Sequence, residues 1–110
     1  MKIELQLSND ALVLANKVLQ KVYELPVSNV EKENVYRSIA FDLADKFDKR
    51  VKKLIKNANL FEKRTNKLSI KYHEAWALQQ ILLDAEIELQ NPYQITLRQG
   101  IIDKLNPKLI

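Results

Sequence analysis

The sequence predicts a mainly α domain: four helices with two short extended segments, in a single domain spanning 1–110. Three observations predict it. Two stretches alternate apolar and polar residues with period two, Ile3, Leu5 and Leu7 first, then Leu68, Ile70 and Tyr72. Elsewhere apolar residues recur at helical spacing over long windows, broken only where proline, asparagine or a polar link intervenes. A chain of 110 residues that is 46% hydrophobic can bury one real core.

The elements follow in order. Lys2 to Leu7 reads as a half-buried strand. Ser8 or Asn9 then caps a helix that runs to about Leu25, where Pro26 follows. Ser28-Asn29-Val30-Glu31 fits a capping box, with Ser28 as N-cap and Glu31 reaching back. The helix it opens continues to about Lys56 and ends among Asn57 and Asn59. At ~1.5 Å per residue this helix would be roughly 39 Å long, against a diameter of about 34 Å for a compact domain of this size. It is therefore expected to overhang the fold or lie along a partner. A polar link covers 58–66, the second extended segment follows, and a third helix is expected from about His73 to Gln90. Asn91-Pro92 supplies an N-cap and a first-turn proline for the last helix, which holds Gly100 and ends near Leu105, before Pro107.

This order of elements suggests an internal repeat, with halves 1–57 and 67–110. Leu12, Leu19 and Tyr23 in the first helix match Trp76, Leu83 and Ile87 in the third, 64 positions on. The strand positions match at an offset of 65, and Asp45-Lys46-Phe47 returns as Asp103-Lys104-Leu105. In the third helix the Trp76–Leu83–Ile87 stripe lies nearly opposite the core stripe of Leu78, Ile81, Leu82, Ala85 and Leu89. A helix apolar on two sides is either sandwiched in its own fold or paired with another chain. The reading favoured by the sequence is self-association, through Trp76, Leu83 and Ile87 together with Leu12, Leu19 and Tyr23.

Composition removes most catalytic classes. The chain has no cysteine, one histidine (His73) and one glycine (Gly100). Thiolate chemistry, two-histidine metal sites and glycine-rich phosphate loops all need residues that are missing. Asp42, Asp45 and Asp48 step around a helix rather than converge, so no metal is expected. His73, four residues after Ser69, forms a nucleophile–base pair only formally, because nothing in the sequence orients it. The chain is read as non-enzymatic, with no cofactor and no small-molecule substrate. The N-terminus, Met1-Lys2-Ile3-Glu4, is charged where a signal peptide would be apolar, and the longest apolar run, Ala11 to Ala15, is far too short to span a bilayer. A cytoplasmic, non-membrane protein is expected, and its many lysines and asparagines have the flavour of an AT-rich bacterial or phage genome.

Eighteen Lys and Arg against fourteen Asp and Glu give a net charge of +4. Segment 46–67 alone carries +7 and leaves −3 for the rest. Lys46, Lys49, Arg50, Lys53 and Lys56 share one helical face, away from Phe47, Val51, Leu54 and Ile55, and could contact phosphates. No aromatic residue interleaves with them, which argues against a stacking platform for single strands.

Strand, helix, helix is also the layout of the ribbon–helix–helix DNA-binding proteins, which this chain resembles in element order. The resemblance implies a tandem, single-chain version. Two strands would pair into a ribbon whose polar residues enter the major groove: Lys2, Glu4 and Gln6 from one strand, Lys67, Ser69 and Lys71 from the other. The chain departs from that pattern in three ways. No glycine-containing turn joins the helices, the second helix is too long, and Glu4 would face phosphates.

The sequence thus leads to a non-enzymatic protein–protein interaction module, acting as a homodimer. Its alternative is a nucleic-acid-binding protein that uses the basic face of the second helix.

Overall fold

The two alternating segments pair with each other. In the computed structural model, which describes residues 2–56, 65–85 and 91–109, β1 (Lys2–Ser8) and β2 (Thr65–Lys71) form a two-stranded antiparallel sheet. Lys2 stands opposite Lys71, Leu5 opposite Leu68 and Ser8 opposite Thr65. Period-two patterning sends Ile3, Leu5, Leu7, Leu68 and Ile70 to one buried face and leaves the alternate side chains exposed. Asn66 is the polar member of the buried face. Its amide donates to the Leu7 carbonyl at 3.1 Å and to Asn9 Oδ1 at 2.9 Å, which removes the penalty of burying it.

A two-stranded ribbon is marginal alone, and helices cover its apolar face. α1 (Asn9–Gln20) continues directly from β1, and a 3₁₀ turn over Lys21–Glu24 follows it. α2 covers Glu31–Lys56, α3 covers Tyr72–Asp84, and α4 covers Pro92–Leu105. The domain described is mainly α, with four α-helices and two short strands among the described residues, as the sequence predicts.

Several boundaries move by a few residues, each for a local reason. The Ser8 hydroxyl accepts from the Ala11 N–H at 3.2 Å, so Ser8 is the N-cap of α1. Ser28 shapes the entry to α2, but its hydroxyl donates to Glu33 at 2.6 Å and its backbone pairs with the Asn34 amide. Glu31 is therefore the first helical residue rather than the closing member of a capping box. Tyr72, expected to end the second strand, opens α3 instead, one residue before the expected start at His73. Asn91 does cap α4, accepting from the Tyr93 N–H at 2.8 Å, with Pro92 first in the helix.

α2 does not overhang the fold. Tyr36, Ala40, Leu43, Ala44, Phe47, Val51 and Leu54 are buried along it, and it packs across both α1 and α3. The described residues extend 42 × 33 × 23 Å, long enough in one direction to contain a helix of about 39 Å.

The two halves are arranged alike. Ser8, which precedes α1, corresponds to Lys71, which precedes α3, an offset of 63 positions. At that offset every buried position from Ala11 to Val22 falls on a buried position from Glu74 to Ala85. In the second helices the offset is 58: Leu43, Ala44 and Phe47 correspond to Ile101, Ile102 and Leu105, all buried. The Asp45-Lys46-Phe47 match is thus retained, whereas the offsets of 64 and 65 inferred for the first helix and strand are one or two positions too long. No helix among the described residues is long and apolar enough to cross a membrane.

Candidate nucleic-acid interface

The exposed face of the ribbon carries Lys2, Glu4, Gln6 and Ser8 from β1, and Thr65, Lys67, Ser69 and Lys71 from β2. Alternation alone places them there. Three lysines against one glutamate make the face basic, and Glu4 lies 3.9 Å from Lys67 across the ribbon.

Both outer edges of the ribbon are covered by cations from the ends of the second helices. Arg50 of α2 donates to the Lys67 carbonyl at 3.1 Å. On the opposite edge Lys104 of α4 donates to the Gln6 carbonyl at 2.6 Å, and Lys108, just beyond the helix, donates to the Glu4 carbonyl. Arg50 and Lys108 are equivalent at the second-helix offset of 58, as Lys67 and Glu4 are at the strand offset of 63. The same capping contact therefore occurs twice, once per half. It satisfies strand-edge carbonyls that the ribbon leaves unpaired, and it sets cations along both flanks of the basic face. An open groove of about 470 Å³ lies beside β1, lined by Glu4, Leu5, Gln6, Lys104 and Lys108.

The α2 ridge inferred from the sequence is largely engaged within the molecule. Lys46 reaches the buried carboxylate of Glu74 on α3 at 3.1 and 3.2 Å. Lys49 pairs with Asp45 at 3.0 Å, and Arg50 holds the ribbon edge. Lys53 and Lys56 are exposed in the last turn. Off this ridge, Lys52 meets Asp48 at 2.8 Å, and that contact lowers the Asp48 carboxyl and raises the Lys52 ammonium relative to their ordinary values.

The self-association stripe is divided. Leu12 and Leu19 are fully buried in the core, because α1 is sandwiched between α2 and α4. They are not available to a partner. Their true equivalents in α3 are Ala75 and Leu82, also fully buried. Trp76 is partly buried, its ring 6.0 Å from Tyr36 and edge-on to it. Leu83 and Tyr23 are 43% and 53% exposed. Tyr23 stacks on Phe41 at 5.3 Å and donates its hydroxyl to the Phe41 carbonyl. Ile87 lies outside the described residues.

Ser69 and His73 are both exposed, Ser69 as part of the outward face and His73 in the first turn of α3. Among the described residues no three His, Cys, Asp or Glu side chains group as a metal would require. A second cavity of about 250 Å³ mixes Lys21 and Arg37 with Glu33 and Asp84, so its charges balance.

Sequence reasoning named the six central ribbon residues and missed the flanking lysines, Lys104 and Lys108. Their signal was present in the recurrence of Asp45-Lys46-Phe47 as Asp103-Lys104-Leu105. Extending that match to Arg50 and Lys108 sets two cations on equivalent turns. No family model, no curated protein and no solved structure matches this chain.

Proposed function

We propose that this chain is a single-chain duplex-DNA-binding module that lays its β1–β2 ribbon in the major groove. The observation that supports this reading best is the polar, basic face of the ribbon, flanked on both edges by cations at equivalent positions. A B-form major groove, about 12 Å wide, admits a two-stranded ribbon. Seven residues at ~3.3 Å each make strands of roughly 23 Å, enough to follow the groove for part of a turn.

The parts divide by chemistry. Arg50, Lys104 and Lys108 stand beside the ribbon, where the phosphate rims of the groove would lie. An ammonium has three donors, so Lys104 can hold the Gln6 carbonyl and still meet a phosphate. The outward side chains are of types that read base edges: lysine donates to guanine, glutamine pairs with adenine, and glutamate accepts from the cytosine amino group. Glu4, a liability against phosphates, is suited to a base in the floor of the groove. One chain supplies both strands of the ribbon, so one chain per site is sufficient.

Titration of a labelled random-sequence duplex at two salt concentrations tests the reading. Three or four phosphate contacts imply a log–log salt slope of roughly −3 to −4. Against the duplex that the wild type binds best, Lys67→Gln combined with Lys71→Gln should weaken binding by about tenfold or more, in line with the ~1–3 kcal/mol of a good base contact. Lys49→Glu with Lys53→Glu should weaken it less. A larger loss from that second pair would move the interface to the α2 ridge. Absence of binding at low salt would end the nucleic-acid reading in both forms.

A further inference from the structure

The fold has an approximate twofold relation between its halves, and the outward ribbon face breaks it. The relation passes through the Leu5–Leu68 pair, since these residues are both directly opposed and equivalent at the offset of 63. Inside, most equivalent buried positions are apolar in both halves, such as Leu5 with Leu68, Leu7 with Ile70, Leu19 with Leu82 and Val18 with Ile81. Ile3 differs in character from its equivalent Asn66, and Ala11 from Glu74. Outside, all four equivalent pairs on the ribbon differ in chemistry. Lys2 corresponds to Thr65, Glu4 to Lys67, Gln6 to Ser69 and Ser8 to Lys71. The sharpest difference is next to the twofold axis, where one half presents a carboxylate and the other an ammonium.

A ribbon made from two identical strands offers the same donors and acceptors to both half-sites and so reads a palindrome. Here the acidic half can accept from cytosine where the basic half donates to guanine. We infer that the ribbon prefers a non-palindromic duplex site and binds it in one fixed orientation, with Glu4 and Lys67 as the residues that distinguish the two half-sites. This rests on the duplex-binding reading above.

Selection from a randomised duplex library, using the full chain, tests the inference. The wild type should enrich one asymmetric sequence with a single chain bound per site. The triple variant Lys2→Thr, Glu4→Lys, Gln6→Ser gives the central outward pairs the same residues in both halves, and it should enrich a palindrome instead. These side chains are exposed, and Ser8 is left in place to cap α1, so an unchanged far-UV circular dichroism spectrum would show that the fold is kept. A palindrome enriched by the wild type, or binding without any enrichment, would overturn the inference while leaving duplex binding intact. Failure to retain any duplex at low salt would overturn both.

Discussion

Glu74 is the residue where local structure and tertiary structure depend on the same carboxylate. At the start of α1 the Ser8 hydroxyl caps the helix. The equivalent residue before α3 is Lys71, which has no acceptor to offer, and the Glu74 carboxylate meets the Lys71 N–H at 2.9 Å instead. Burial opposes ionisation of Glu74. The Lys71 N–H and the Lys46 ammonium outweigh that burial and hold the carboxyl below its usual range. Because the folded state favours the charged form, this stabilisation is present at neutral pH. It is lost as pH falls below about 4.5, the unfolded value, toward the lower folded one. Urea melts of the wild type should therefore weaken as pH falls through about 4.5 and below, and Glu74→Gln should flatten that part of the profile. Lys46→Met leaves the carboxylate with its backbone partner alone and should cost about 1–2 kcal/mol at pH 7. A Lys46→Met protein as stable as wild type would mean that the 3.1 Å contact contributes nothing net. The Tyr36 hydroxyl, raised by burial and by its bond to Asp84, should stay protonated throughout that titration.

At the scale of elements, α4 contains a clear weak point. Gly100 is exposed in its interior, and beyond its chain neighbours and its own helical backbone a Cβ added there meets no atom within 4 Å. Gly100→Ala should therefore stabilise the fold by about 0.5–1 kcal/mol, by restricting the unfolded chain and improving helix propensity, and a rise of a few degrees in Tm would register it. The opposite test applies to α1: Leu19→Ala should cost roughly 3 kcal/mol through the cavity it leaves, with no change in mass by light scattering, because Leu19 is fully buried within its own chain. Such elements were legible where a period carried them. Alternation placed the outward ribbon face, and Asn91-Pro92 marked the start of α4. The register of the repeat was not legible, because the position equivalent to Leu12 holds Ala75. Matching large residues to large residues therefore slid the third helix by one, onto Trp76. Ala75 is as fully buried as Leu12, and a sequence pattern carries no volume across elements. The edge-capping lysines were hidden for a related reason: Lys104 meets Gln6, and Lys108 meets Glu4, across almost the whole length of the chain. The ion pairs that occupy Lys46 and Lys49 likewise needed geometry, since helical spacing makes a solvated basic face and a paired one look the same.

For the whole molecule, the two halves are alike in arrangement but neither is complete. Among the described residues β1 has its only strand partner in β2, and β2 in β1. α2 packs on α3 as well as α1, and α4 packs on α1 as well as α3. Each first helix is thus held between a helix of its own half and one from the other. Separating the halves would expose Leu5, Leu7, Leu68 and Ile70 on single strands, which are not stable alone. It would also uncover the contact between α2 and α3. Two chains, 1–60 and 61–110, should accordingly each lack a cooperative thermal transition at low micromolar concentration. Mixed in equal amounts they should regain the helical circular dichroism signal, with a midpoint that rises with concentration, as expected when folding is coupled to association. Lys104→Ala with Lys108→Ala, which strips one ribbon edge, should lower that midpoint while leaving the 1:1 stoichiometry. Native-like, cooperative melting of either half as a monomer would show that the interior of one half closes on itself, and the single-core account of this fold would then be wrong.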